Sequence, residues 1–275
     1  MSDRFLVGKT ALVTGGASGM GLAMALAFAS AGANVAIGSL LAGGRKAEGE
    51  LVHLPAQEQL DRARSAIEAE GVACLAKNLD VTSDESVDAF FAATIERFGA
   101  VDILANAAGI TAEQTIVGHP DPLWNKVIEV NLTGTYRAIK RALPGMIERG
   151  WGRIINIAST AATVGAATSG AYCASKAGVV GLTRCVALEG APHGVTANAI
   201  SPTWVDTGFA REWMSDIAQH QDRSGDDYVA EVQAANPQGR LITPSEIGAL
   251  ALFLCTEGAK GITMEDLRVS AGSLW

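Results

Sequence analysis

A chain of 275 residues with 48% apolar and 18% charged residues has ample material for a buried core, which excludes global disorder. Its 21 basic and 29 acidic residues give a net charge of −8. That balance disfavours coating of nucleic acid or of an anionic membrane, because neutralising phosphates needs clustered Lys and Arg. No apolar run reaches the roughly 18–20 residues of a membrane helix, and Met1-Ser2-Asp3-Arg4 opens no signal-peptide pattern. Cysteines 74, 173, 185 and 255 and histidines 53, 119, 193 and 220 lack disulfide or metal-ligand spacing. The expectation is a reduced, cytoplasmic protein with no metal site, engaging neither nucleic acid nor membrane.

In chain order, strand-like and helix-like segments alternate. Lys9–Thr14 reads as a short buried strand, and Ser18–Ala31 as an Ala-rich helix ended by Gly32. Asn34–Ile37 and Val72–Lys77 are further strands. Ser83–Phe98 is the clearest helix, with Ser83 as cap and Val87, Phe90, Phe91, Ile95 and Phe98 on one face. Val101–Ala105 (strand), Leu123–Arg149 (long helix, bent), Arg153–Ile157 (strand), Tyr172–Glu189 (helix) and Val195–Ile200 (strand) follow. Pro244–Cys255 reads as a helix capped by Thr243, and Leu267–Ser270 as a last strand. This alternation predicts a three-layer α/β/α doubly wound parallel sheet of seven strands, in one domain over 1–275. Two segments interrupt it: an insertion at about 40–60, and a polar, irregular segment at about 204–240 tipped with aromatics, which reads as a substrate lid.

The first strand runs into Thr14-Gly15-Gly16-Ala17-Ser18-Gly19-Met20-Gly21. A glycine turn between strand and helix aims free N–H groups and a positive helix end at one place, which suits a pyrophosphate. Further on stand Asn106-Ala107-Ala108-Gly109 after strand four, Asn131 in the long helix, Ser159 after strand five, and Tyr172-x-x-x-Lys176 thirteen residues later. In this order and spacing, from Gly8 to about Gly272, the set resembles the short-chain dehydrogenase/reductase family, with its Rossmann fold.

The resemblance implies a nicotinamide-dependent oxidoreductase that interconverts a secondary alcohol and a ketone. Tyr172 would be the general acid/base and Ser159 the group that holds the substrate oxygen, with Lys176 acting on the tyrosine and Asn131 in a proton relay. At a helical spacing of four, Tyr172 and Lys176 share a face. Lowering a phenol by about three pKa units needs roughly 4 kcal/mol. An ammonium about 4 Å away at an effective dielectric near 20 supplies that much. Tyr136-x-x-x-Lys140 matches the same pattern but has no strand-end serine upstream, and reads as an ordinary helix face.

The cofactor site is expected at Gly15, Ser18, Gly19, Met20, Gly21, Ser39, Asp80, Val81, Asn106, Ala108, Gly109, Tyr172, Lys176, Pro202, Val205 and Thr207. Ser39 stands where an acid would read the adenine ribose of NAD. No arginine marks the turn for NADP, while Arg45 and Lys46 lie in the insertion. NAD is expected, with NADP left open.

Pro202-Thr203 replaces the family's Pro-Gly. A β-branched Thr takes positive φ only at a cost, so the expectation is an ordinary backbone there or a reshaped pocket. The segments Ile154–Ser159 and Val195–Val205 resemble the 3-hydroxybutyrate dehydrogenase branch, whose carboxylate-binding places correspond to Thr111, Ala161 and Ser169. None is a cation, so a small hydroxy acid is disfavoured. Ser159, Tyr172, Thr111, Ala161, Trp204, Phe209 and Trp213 are the expected substrate contacts, with Trp204, Phe209, Trp213 and Met214 forming a partly apolar lid for an alicyclic, aromatic or other secondary alcohol or ketone. The family pairs the helices at 123–149 and 172–189 across subunits, implying a homotetramer, or else a homodimer. The alternatives are a non-redox lyase or isomerase on this scaffold, and a silent nicotinamide-binding regulator.

Overall fold

The structure is a computed structural model that describes residues 4–43 and 49–273. Among the described residues there are seven strands: β1 (Thr10–Thr14), β2 (Asn34–Ser39), β3 (Cys74–Asn78), β4 (Ile103–Asn106), β5 (Gly152–Ile157), β6 (Val195–Pro202) and β7 (Asp266–Val269). They form one parallel sheet in the order β3-β2-β1-β4-β5-β6-β7, as expected of a doubly wound Rossmann fold. The direction of winding reverses between β1 and β4, and the crevice beyond their carboxyl ends is where such sheets bind ligands.

Nine helices are described: α1 (Gly19–Ser30), α2 (Gln57–Glu68), α3 (Asp84–Phe98), α4 (Asp121–Ile128), α5 (Gly134–Glu148), α6 (Gly170–Gly190), α7 (Gly208–His220), α8 (Gly225–Ala235) and α9 (Pro244–Phe253). The strand period of two divides the core. Ala11 and Val13 of β1 pack with Met24, Phe28 and Ile247 on the face of α1 and α9. Leu12 between them packs with Phe90, Leu104, Met146 and Ile154 on the face of α3 and α5. Both faces of the central strands are thus buried, which is why these segments read as short continuous apolar runs.

The expected strands are found, each end within two residues of its expected place. The long helix is not one α-helix. Glu129–Thr133 forms a π turn between α4 and α5, and Pro144 lies inside α5. Beyond the π turn, α5 docks on α3 through Arg141, whose Nε and Nη2 donate to Asp88 and Asp84 at 2.7 Å each, and through Arg137, whose Nε donates to Asp84 at 3.3 Å.

The segment 204–240, expected to be irregular, contains α7 and α8. Thr207 and Ser224 cap them, their hydroxyls each accepting a backbone N–H at 3.1 Å, from Ala210 and Asp227 respectively. Asp226 and Asp227 sit in the first turn of α8, where the helix dipole favours them. The insertion runs as an extended strap over 49–55 and then enters α2; Arg45 and Lys46 lie outside the described residues.

Thr203 is not among the non-glycine residues of positive φ. Its N–H continues the β6–β7 ladder by donating to the Val269 carbonyl at 3.1 Å, so the backbone there is ordinary.

Candidate active site

A cleft of about 750 Å³ opens at the carboxyl ends of the strands. Gly15, Ser18, Gly19, Met20, Gly21, Ser39, Asp80, Val81, Ala108, Gly109, Tyr172, Lys176 and Thr207 line it, as the sequence leads one to expect. The glycine turn is built by sterics. A Cβ on Gly15 would lie 2.8 Å from the Ala108 nitrogen, and one on Gly21 would lie 2.2 Å from the Gly15 carbonyl oxygen. Any side chain at either place would push strand, turn and helix apart. Ser18 is the N-cap of α1 yet makes no side-chain cap bond, and the first turn holds no acid, so that helix end keeps its positive character. A phosphate is the group such a place accommodates.

Ser39 is buried, and its Oγ accepts the Ala17 N–H at 3.1 Å. It therefore ties β2 to the glycine turn. Asp80 Oδ1 accepts both the Thr82 N–H, at 2.9 Å, and the Thr82 hydroxyl, at 2.7 Å, which fixes the loop that presents Val81. Asn106 does not line the cleft. It donates to Asn156 Oδ1 at 2.8 Å and braces β4 against β5 beneath it.

A second, smaller chamber of about 60 Å³ adjoins the cleft. Ser159, Ala161, Tyr172, Pro202, Trp204, Val205, Phe209 and Trp213 are among its walls, and no charged side chain is. Thr111, expected there, lines neither space; it is fully buried and its backbone pairs with Leu51. Ser169 also turns away, donating its hydroxyl to Glu113 at 2.8 Å. Met20, Tyr172, Thr207 and Phe209 border both spaces. Tyr172 thus stands between the large cleft and the uncharged chamber.

Ser159 lies just past β5 and Tyr172 at the start of α6, and both line the chamber. The Lys176 ammonium lies 5.5 Å from the Tyr172 ring centre and donates to the Ile157 carbonyl at 2.8 Å. Asn131 is locked in place: its Nδ2 donates to the Ile110 carbonyl at 2.9 Å and to Ser175 Oγ at 3.0 Å, and its Oδ1 accepts the Ile110 N–H at 2.9 Å. A Cβ on Gly109 would stand 3.4 Å from Asn131 Oδ1 and 3.7 Å from Lys176 Nζ, so these three residues converge.

The expected electrostatic balance is reversed in the closed chain. Burial pushes the Tyr172 phenol up to about 12, and the nearby Ser159 hydroxyl lowers it only in part. Burial also brings Lys176 down to about 8. Desolvation by burial is the largest cause of the shift at Tyr172 and the cause of the shift at Lys176. Trp213 meets Tyr172 edge-on at 5.1 Å between ring centres and Trp204 at 4.8 Å. The Trp213 indole N–H donates to Glu113 Oε1 at 2.7 Å.

Sequence reasoning missed Glu113, and with it Glu50, Val52, His53, Leu54, Pro55, Gln59, Lys126 and Val130 on the cleft wall. The strap residues carried one signal, the apolar run Leu51-Val52-His53-Leu54-Pro55 inside a polar insertion. Glu113 meets Trp213 across 100 positions, and no spacing rule announces that pairing.

Comparison with known proteins agrees with this geometry. Residues 15–273 match the family model described as enoyl-(acyl carrier protein) reductase. D-beta-hydroxybutyrate dehydrogenase of Cupriavidus necator is 37% identical over 261 residues, covering 94% of each chain. The chain belongs to the short-chain dehydrogenase/reductase family. Its class of chemistry is NAD(P)-dependent interconversion of an alcohol and a ketone. A 3-oxoacyl-[acyl-carrier-protein] reductase of Vibrio harveyi is 36% identical, over 97% of this chain and 98% of that one. The solved structure of an actinorhodin polyketide ketoreductase with NADPH superposes with a TM-score of 0.87 at 35% identity, covering 96% of each chain. An NAD+-bound xylitol dehydrogenase superposes with a TM-score of 0.87 at 28% identity, over 98% of this chain and all of that one. Among the described residues no helix is long and apolar enough to cross a membrane.

Proposed function

We propose that this chain interconverts a small, neutral secondary alcohol and its ketone with NAD, and that Tyr172 moves the proton. The observation that carries the reading is the position of Tyr172 on the boundary between cleft and chamber. When bound, the nicotinamide supplies or accepts the hydride at the carbinol carbon. Ser159 holds the substrate oxygen against the phenol. In ketone reduction the Tyr172 O–H gives its proton to that oxygen; in alcohol oxidation the phenolate takes it back. A phenol held near 12 keeps its proton at neutral pH, which suits it to the acid role. Lys176, near 8, stays largely protonated at neutral pH and stabilises the phenolate that remains after transfer. Asn131 keeps Gly109 and the start of α6 in register beside that ammonium.

The glycine turn, Ser18, Asp80, Val81, Gly109 and Thr207 hold the dinucleotide in this reading. Preference for NAD is supported by Glu50 and Asp80 in the cleft lining, since acids disfavour an added 2′-phosphate. The uncharged chamber supports a neutral substrate. All the relatives compared above are dehydrogenases or reductases, so the lyase and regulator readings are not favoured. A cytoplasmic homotetramer built through α5 and α6, whose Tyr136 and Leu188 are exposed, completes the reading.

The test is a panel of neutral secondary alcohols and ketones beside hydroxy acids, each followed by nicotinamide absorbance with NAD(H) and NADP(H). Turnover of the neutral compounds with NAD(H) is expected. Equal rates with NADP(H) overturn the cofactor preference, and faster turnover of hydroxy acids overturns the substrate class.

A further inference from the structure

The strap at 49–55 gives the cleft a wall that the sheet and its helices do not supply. At one end the Pro55 carbonyl accepts the Ala42 N–H at 2.8 Å, close after β2. At the other, Leu51 and Thr111 exchange both backbone hydrogen bonds, at 2.9 and 3.0 Å, beyond β4. In the sheet β1 stands between β2 and β4. A segment tied beside both neighbours therefore passes over the carboxyl end of β1, where the glycine turn begins. Glu50, Val52, His53, Leu54 and Pro55 of the strap line the cleft.

The glycine turn offers a pyrophosphate backbone N–H groups and a helix end, but Thr14–Gly21 contains no basic side chain. Among the described residues that line the cleft, those able to carry positive charge are His53, Lys126 and Lys176. Lys176 is committed to the Ile157 carbonyl beside Tyr172. Lys126 lies on α4, one turn before Val130, which packs with Leu79 and Val81 on the face opposite α1. That leaves His53. Its Cε1 and Nδ1 lie 3.7 and 3.8 Å from where a Cβ on Gly208 would be. Thr207, the preceding residue, brings its Cγ2 to 3.2 Å from where a Cβ on Gly19 would be. Imidazole, start of α7 and glycine turn thus follow one another along the cleft wall. The ring is oriented without being saturated. Glu212 Oε1 lies 3.4 Å from Nδ1 and Gln59 Nε2 lies 3.5 Å from Nε2. Both contacts are longer than the roughly 2.7–3.2 Å of a committed hydrogen bond. The side chain is 27% exposed, so the field it makes in the cleft is only partly screened.

We propose that His53 is a cofactor-binding residue supplied by the insertion: as an imidazolium it offsets part of the charge of a dinucleotide pyrophosphate seated on the glycine turn. The inference rests on the dinucleotide reading above and adds to it a residue from outside the turn. An imidazole changes charge within the physiological pH range. Affinity for the pyrophosphate therefore falls as the pH rises and the ring gives up its proton. The charged groups around the ring are Glu212 on α7, Asp206 before it, Glu50 on the strap, and Lys126 and Lys176 across the cleft. Both Asp206 oxygens are held by Arg211, at 2.6 and 2.9 Å. All of these stay in place when His53 alone is changed, so the difference between proteins isolates the ring.

The experiment is calorimetric titration of the full chain with ADP-ribose, which carries the pyrophosphate but no nicotinamide. It is run at about pH 5.5 and about pH 7.5, on either side of the ordinary imidazole range. The wild type is expected to bind about three- to ten-fold more tightly at the lower pH. His53→Gln and His53→Ala, uncharged throughout, bind at both pH values with the wild-type affinity of the higher one. His53→Lys, charged throughout, binds at both with the wild-type affinity of the lower one. A merely structural role for His53 would not rank Lys above Gln. A wild type without pH dependence overturns the assignment. So does His53→Gln with the wild-type dependence, or His53→Lys binding no more tightly than His53→Gln. If neither ADP-ribose nor NAD binds the wild type at all, the dinucleotide reading falls and this inference with it.

Discussion

The chain carries the same five-residue pattern twice, and the two copies share their local geometry but not their surroundings. In both, the lysine ammonium lies over the tyrosine ring, at 5.5 Å for Lys176 on Tyr172 and 5.9 Å for Lys140 on Tyr136. Lys176 is 5% exposed, whereas Tyr136 is 45% exposed on the outer face of α5. The first pair is roofed by Trp213, meets Ser159 and borders two cavities. The second pair lines neither cavity. Helical spacing brings a phenol and an ammonium together; a strand end beneath them and aromatic rings above turn that proximity into chemistry.

The largest effect that can break this comparison is Tyr172→Phe, expected to lower kcat by about 10²–10⁴-fold while Tyr136→Phe leaves it within two-fold. Steady-state rates on one responsive ketone check both. Next is Gly21→Ala, whose Cβ would fall 2.2 Å from the Gly15 carbonyl oxygen; NADH titration should show affinity reduced by about ten-fold or more. The pH dependence of stability sharpens the contrast further. Lys176 is depressed from 10.5 to about 8, so between about 8 and 10 the unfolded chain holds a proton that the folded chain has released. Stability of the cofactor-free protein therefore rises with pH over that window, by on the order of 2–3 kcal/mol. Above 10 the raised phenol of Tyr172 works in the opposite sense, because the folded chain keeps a proton that the unfolded chain gives up. Denaturant midpoints should show the rise in the wild type and its loss in Lys176→Met. The smallest effect is Lys140→Ala, expected to change stability by less than about 0.5 kcal/mol and to leave the pH profile as it was.

Much of this was legible in the residues. Val13, Ile37, Leu104 and Ile155 lie in short apolar runs because parallel strands are covered on both faces, and those runs announced the sheet. The glycine turn and the Ser159, Tyr172 and Lys176 set were legible because each has fixed local geometry at a strand end. The helices α7 and α8 were not, because their sequences are polar and their start signals are single capping residues, Thr207 and Ser224. Nor was the lateral bracing of the site. Leu51 meets Thr111, His53 meets Glu212 and Glu113 meets Trp213 only once the sheet has brought distant segments together. The raised phenol of Tyr172 escaped for the same reason, since the ring that desolvates it lies 41 positions away.

The π turn at Glu129–Thr133 also sets a phase. One residue of α-helix corresponds to about 100° of rotation about the axis, and a π turn holds one residue more than an α turn does. Excising a single residue there would let the π turn close into an α turn, with the helices on either side close to their present phase. The same excision within α5 has no such slack: it would turn Arg141 off Asp84 and Asp88 and take Met146 from the sheet. The turn is therefore a reserve of chain length, and a one-residue deletion at 129–133 should be less damaging than one at 135–139.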